Sequence, residues 1–219
     1  MFKVYSSIQY PIPLPEGHRF PIDKYDVLVG QLKYEGILKE DHFATADFIP
    51  DEIIGLTHDL TYWNKVKNLT LDDRAFRKIG FPKEKYVIKR TWSSVSGTFE
   101  ATQQALELGL GINLAGGTHH AFFDRGEGFC VLNDVAIAAN YLIQNQLSHK
   151  VLIVDLDVHQ GNGTASIFKG NENVFTFSMH CEQNYPFKKQ ESDLDIALNA
   201  STKGEEYLEK LKNTLPVLI

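Results

Sequence analysis

The stretch Val151-Leu152-Ile153-Val154-Asp155-Leu156-Asp157-Val158-His159 constrains this chain more than any other. Four consecutive aliphatic residues predict a buried strand, and an acid or imidazole then follows at every second position. On an extended backbone alternate side chains share a face, so Asp155, Asp157 and His159 are expected to leave on one side. Such a convergence beyond an apolar strand is costly unless the groups hold a metal or one another. Upstream, Gly111-Ile112-Asn113-Leu114-Ala115-Gly116-Gly117-Thr118-His119-His120 reads as a second strand ending in glycines and paired histidines. Sites in open α/β sheets form beyond the carboxyl ends of the strands, which places both clusters at one rim.

The surrounding pattern fits that frame. Phe2–Tyr5 reads as a strand, followed by a proline-rich loop (Pro11, Pro13, Pro15, Pro21) and a helix from Asp23, its cap, to Glu40. Ile53–Asp59 reads as a connector, Thr61–Asn68 as a helix, and Asp72–Lys89 as mixed helix and loop. Ser96 is expected to cap a helix that buries Ala101, Ala105 and Leu108 and stops at Gly109. Further helices are expected from Asn133-Asp134 to Gln144, over Ala165–Phe168 and over Gly204–Asn213. Val174–His180 reads as a strand and Glu191–Ala200 as a loop. Leu215–Ile219 reads as the start of a next strand, interrupted where the chain ends. Strands alternating with helices at this spacing predict an α/β fold with a mostly parallel sheet and right-handed crossovers.

The 219 residues, 43% hydrophobic and 23% charged, suit one soluble domain spanning residues 1–219. The net charge of -6 is interspersed, without the basic stripe that nucleic-acid binding requires. The N-terminus lacks a secretory pattern, and no apolar run approaches membrane-spanning length. Two cysteines, Cys130 and Cys181, fit a reducing compartment, so the expected location is cytoplasmic.

Asp-x-Asp after a strand also serves magnesium phosphotransferases, in which Asp155 would be the nucleophile and Asp157 its partner. His159 argues instead for a transition metal, because imidazole is a borderline donor that magnesium rarely selects. Paired histidines become a general base when a neighbour fixes the tautomer, and Asp155 and Asn162 are available for that. Gly128-Phe129 suits the wall of a narrow channel. His58 and His180 read as structural, and Cys130 as a packing residue.

Three motifs together resemble the zinc-dependent histone deacetylase superfamily, which includes acetoin-utilisation proteins and acetylpolyamine amidohydrolases. They are Ala115-Gly116-Gly117-Thr118-His119-His120-Ala121, Arg125-Gly126-Glu127-Gly128-Phe129-Cys130-Val131-Leu132-Asn133-Asp134, and Asp155-Leu156-Asp157-Val158-His159-Gln160-Gly161-Asn162-Gly163. The Gln-Gly-Asn-Gly variant looks most like the class IV branch and its bacterial relatives. The resemblance implies an arginase-like three-layer fold, truncated at the C-terminus, with a parallel sheet flanked by helices. It implies a zinc-dependent hydrolase that removes acetyl or other acyl groups from amines, with acylated lysine or a small acylated amine as substrate.

Carried over, Asp157 and His159 are metal ligands, His119 and His120 the tandem catalytic histidines, with Asp155 behind His119 and Asn162 behind His120. Gly128 and Phe129 line the acyl-lysine tunnel. Asp155, Asp157, His159 and Ser178 contribute to a monovalent-cation (K+) site. The metal is Zn2+, with Fe2+ or another transition metal as the alternative. The family's third ligand and its carbonyl-polarising tyrosine come from beyond Ile219, and only Glu182, Asp193 and Asp195 remain as donors. This leaves open a catalytically incomplete domain that binds an acyl ligand or a partner chain, and self-association through an exposed sheet edge.

Overall fold

The computed structural model describes residues 2–219. The chain divides into two compact units, Met1–Tyr141 and Leu142–Ile219.

In the first unit, β1 (Val4–Tyr5) lies between β2 (Phe43–Ala44) and β3 (Ile112–Asn113) in a parallel sheet of two-residue strands. Val4 faces Phe43 on one side and Ile112 on the other. Around these run α1 (Lys24–Tyr34), α2 (Asp51–Ile54), α3 (Leu60–Lys67), α4 (Asp73–Ile79), α5 (Lys85–Leu108) and the start of α6 (Asp134–Gln144). Ile54, Trp63, Val66, Ile79, Val87, Leu132 and Ile137 form a continuous buried core. Each such side chain contributes roughly 1.5–3 kcal/mol relative to exposure.

Local chemistry explains where the helices differ from expectation. Asp23 does not cap α1, because its backbone is already helical and its side chain makes no capping bond. That helix stops at Tyr34, well before Glu40. Ile53 and Ile54, expected in a connector, close α2. In α3 and α4 the caps are carboxylates, with Asp59 accepting from the Thr61 amide at 2.8 Å and Asp72 from the Ala75 amide at 2.9 Å. Residues 72–89, expected as a mixture, hold α4 and the first turn of α5.

Ser96 is no cap but sits fully buried inside α5, where its Oγ accepts from the Ile49 amide at 3.0 Å. Ser93 and Ser94 similarly bond Ser7 and the Ala115 carbonyl, so serines that favour helix starts serve here as cross-links from a helix interior. Ala101 is buried, but Leu108 is exposed. Gly109, at φ 78°, ends the helix as expected. A Cβ at Gly111 would lie 1.7 Å from the Ala101 carbonyl oxygen, so only glycine lets β3 pass α5 this closely.

The second unit is a parallel sheet in the order β4 (Val151–Asp155), β5 (Val174–Cys181), β6 (Leu194–Leu198), with α7 (Asn162–Phe168) and α8 (Gly204–Leu218). Only Ile153 of the four expected core aliphatics of β4 is buried, and Val154 is 38% exposed. β6 corrects the expected loop over Glu191–Ala200: Leu194, Ile196 and Leu198 alternate with Asp195 and Ala197 and pair in register with β5. The terminal apolar run is helix, not strand. Tyr207, Leu211, Leu215 and Leu218 recur at helical spacing and pack on Phe177, Met179 and Leu198. Among the described residues no helix is long and apolar enough to cross a membrane.

Candidate functional site

Residues expected to act fall in both units. In the first, β3 covers only Ile112–Asn113 and the rest of the expected strand to His120 is a built loop. Asn113 begins it, donating from Nδ2 to the Ser94 carbonyl and the Thr98 hydroxyl, both at 2.8 Å, while its Oδ1 accepts from the Ala115 amide at 3.1 Å. Asp134, at the first turn of α6 and 1% exposed, takes over from there. Its Oδ1 accepts from the Thr118 amide at 2.7 Å and hydroxyl at 2.6 Å, and its Oδ2 from the Gly117 amide at 3.0 Å and the Thr98 hydroxyl. A Cβ at Gly116 would lie 2.5 Å from that Oδ2, so the carboxylate can reach the loop only past glycine.

Asn133 holds the other end of the loop through its Nδ2 and the Ala121 carbonyl, at 3.2 Å. Its amide donates to His58 Nε2 at 2.8 Å, and His58 Nδ1 donates to the Phe122 carbonyl at 2.9 Å. Between these anchors lie His119 and His120, 8% and 4% exposed, with ring centroids 4.1 Å apart and planes tilted by 42°. His58 is structural, as expected. Its burial pushes the imidazole pKa down from 6.5 to about 4, against the pull of its backbone hydrogen bonds.

Gly128 and Phe129 both have positive φ, 57° and 65°. Left-handed geometry is costly for phenylalanine, on the order of 1–2 kcal/mol. It is held by the Phe129 amide donating to the Ile79 carbonyl at 2.6 Å and the Gly128 amide to the Lys78 carbonyl at 3.2 Å. The ring packs against Phe20, Phe81 and His18 at centroid distances of 5.1, 5.4 and 5.7 Å. Cys130 is buried, as a packing residue should be.

In the second unit the expected alternation of Asp155, Asp157 and His159 fails, because β4 ends at Asp155. The Asp157 amide donates to Asp155 Oδ1 at 3.0 Å, and the His159 amide to Asp157 Oδ1 at 2.8 Å. Each carboxylate therefore captures the backbone two residues on and turns the chain out of the strand. The same turn brings Asp157 Oδ1 within 3.0 Å of His159 Nδ1. Tyr185, which sequence reasoning missed, stands edge-on to the His159 ring at 6.0 Å.

Gln160, 1% exposed, secures this turn by donating to the Gln190 carbonyl at 2.7 Å and to Asp195 Oδ1 at 2.9 Å. Asn162 is buried at the start of α7, which begins earlier than the expected Ala165. Ser178 pairs in register with Asp155, and its hydroxyl lies 3.0 Å from His180 Nδ1. Burial lowers the His180 pKa, and Asp195, 3.8 Å away, opposes the shift.

A carboxylate oxygen beside an imidazole nitrogen is a donor pair that suits zinc. Catalytic zinc takes three protein ligands, and among the described residues no group of three His, Cys, Asp or Glu is assembled. Asp193 accepts from the Thr176 amide and hydroxyl, and Asp195 from Gln160 and the Ser192 amide. The pair thus fits part of a zinc site and does not complete one.

The sequence profile of the histone deacetylase domain matches residues 18–219. An uncharacterised protein of Picosynechococcus sp. is 45% identical over 219 residues, which cover all of this chain and 73% of that protein. Among solved structures, an HDAC homologue from Aquifex aeolicus superposes with a TM-score of 0.85 at 22% identity. An HDAC homologue complexed with SAHA superposes at 0.78, also with 22% identity. Both alignments cover 99% of this chain but only 64% of the solved one, so the chain spans less than two thirds of these relatives. They establish the fold as that of histone deacetylase homologues, an arginase-like α/β architecture of parallel sheet flanked by helices. Membership leaves the magnesium phosphotransferase alternative without support. The chain belongs to the histone deacetylase family.

Proposed function

We propose that residues 1–219 belong to one deacylase domain that hydrolyses acyl groups from amines, with the ε-amino group of lysine or a small polyamine as the leaving group. The domain profile runs without interruption across the division between the two units, which supports treating them as one functional domain. One solved relative, an HDAC homologue, is complexed with SAHA, and family membership supports an acylated amine as the substrate class. The observation that carries the reading is the tandem pair His119–His120, buried, in ring contact and fixed at both ends of its loop. Two adjacent imidazoles suit a reaction that must remove one proton from water and return one to a departing amine.

In this reading Asp155 and Asn162 orient the two histidines, and Gly128 with Phe129 receives the acyl-lysine stem. Asp157 and His159 would be two of the ligands of Zn2+, or of Fe2+ in its place. When bound, such a metal polarises the amide carbonyl and acidifies water. Asp155, Asp157, His159 and Ser178 would serve the K+ site, chiefly through backbone oxygens. The loop geometry adds positioning: a histidine that cannot swing delivers its proton along one line.

In an intact version of the domain, His119→Ala and His120→Ala should each lower release of acetate from an acetyl-lysine peptide by about 10²-fold or more, the usual worth of a general acid or base. The metal content of the purified protein should not change. Loss of metal from either variant would show a ligand where a base is assigned, and unchanged turnover would remove both histidines from the chemistry.

A further inference from the structure

The loop of residues 182–190 leaves the end of β5 and holds neither helix nor strand. Both of its ends are tied to the neighbours of His159. The Cys181 amide donates to the Val158 carbonyl at 2.9 Å. At the other end the Gln160 side chain meets the Gln190 backbone twice, its Oε1 accepting from the amide at 2.8 Å and its Nε2 donating to the carbonyl at 2.7 Å. Between those ties Tyr185 stands edge-on to the His159 ring.

One side chain shapes the loop between its ends. Lys189 Nζ donates to the carbonyls of Glu182 at 3.1 Å, Asn184 at 2.8 Å and Pro186 at 2.7 Å. An ammonium has three N–H groups, and here each has its own carbonyl. Asn184 and Pro186 flank Tyr185, so the ammonium fixes the backbone on both sides of that residue. Pro186 is buried, where an unmet carbonyl is costly. Lys188 is exposed, whereas Lys189 is half-buried. Holding a long side chain in one rotamer costs entropy, and three charge-assisted hydrogen bonds offset it.

We propose that Lys189 is a positioning residue of the candidate site: its ammonium sets the loop that seats Tyr185 against the His159 imidazole. Asp157 Oδ1 meets the same ring at Nδ1, so turn and loop together limit its rotation. Groups that orient a ligating histidine are commonly worth about 10–100-fold in metal affinity. The consequence for the metal rests on the reading of His159 as a ligand, whereas the link from Lys189 to Tyr185 does not.

Lys189→Met keeps the aliphatic stem and removes all three donors. Hydrogen exchange over residues 182–190 should speed up about tenfold in this variant, with the rest of the chain unchanged. Lys189→Arg, which keeps the charge and the donors, should restore most of the protection. In an intact version of the domain, Lys189→Met should bind zinc about tenfold more weakly in competition with a chromogenic chelator. Its kcat for an acetyl-lysine peptide should fall and recover as zinc is raised, which a merely structural lesion would not do. Tyr185→Ala leaves the lysine bonds in place and should weaken zinc without loosening the loop; it carries the metal comparison should Lys189→Met fail to fold. Unchanged exchange over the loop overturns the proposal, and so does a loosened loop with unaltered zinc affinity. Failure of the unaltered domain to bind zinc would instead remove His159 as a ligand, and loop exchange would still decide whether Lys189 sets the loop.

Discussion

His58 spends both ring nitrogens on the backbone, donating to Phe122 and accepting from Asn133, and that fixes one neutral tautomer. Its folded-state pKa of about 4 lies below the ordinary 6.5. Between those values the unfolded chain binds more protons, so stability from the neutral ring is complete above pH 6.5 and is lost as pH falls towards 4. Full loss amounts to about 3 kcal/mol. His180, also lowered by burial, adds to the loss in the same direction. Chemical denaturation across this window should show the wild type weakening steeply with acid. His58→Gln, which cannot titrate, should start less stable and weaken less. Parallel pH slopes for the two proteins would mean that His58 is not buried neutral.

At the scale of elements, the N-terminus of α6 organises the histidine loop. Asp134 brings a carboxylate to the positive end of its own helix and spends it on four donors from α5 and the loop. Asp134→Asn replaces one accepting oxygen with an NH2 group, which must face either the Gly117 and Thr98 donors or the two from Thr118. Leaving such buried donors unmet costs roughly 1–3 kcal/mol each. The variant should lose on the order of 3 kcal/mol of stability and show faster amide exchange over residues 115–120. An unchanged denaturation midpoint and exchange pattern would show that Asn113 and Asn133 hold the loop alone. Much of this was legible, since the Asn133-Asp134 helix start and the Gly116-Gly117 pair stand out in the chain. What the donors bonded to was not, because Ser94 and Thr98 approach the loop only after α5 has packed on β3.

For the molecule as a whole, β6 is the last strand of its sheet and pairs only with β5 among the described residues. An open strand edge invites pairing with a second copy. We therefore expect the chain as given to self-associate. Light scattering behind size exclusion should report mass above the 24.8 kDa monomer, rising with concentration. A monodisperse monomer throughout would show that the edge is adequately guarded, for instance by the carboxylate of Asp195.

The sequence by itself determined the family, the α/β class and the identity of the candidate acids and imidazoles, because those rest on residue types at short, rigid spacings. It also marked β5, α6 and the helical stop at Gly109, where periodicity and one glycine suffice. Tertiary structure alone decided the rest. Alternation placed Asp155, Asp157 and His159 on one face, but side-chain capture of backbone amides ended the strand first. β6 became a strand through pairing with β5, and Leu215–Leu218 stayed helical because its leucines met Phe177, Met179 and Leu198. Serines of α5 became cross-links, and Arg90 became a buried cation bonded to the Ser7 and Tyr10 carbonyls, only once distant segments closed around them. Hydrogen bonds and burial between residues remote in sequence cannot be read from local pattern, and it is these that turn a set of reactive side chains into fixed geometry.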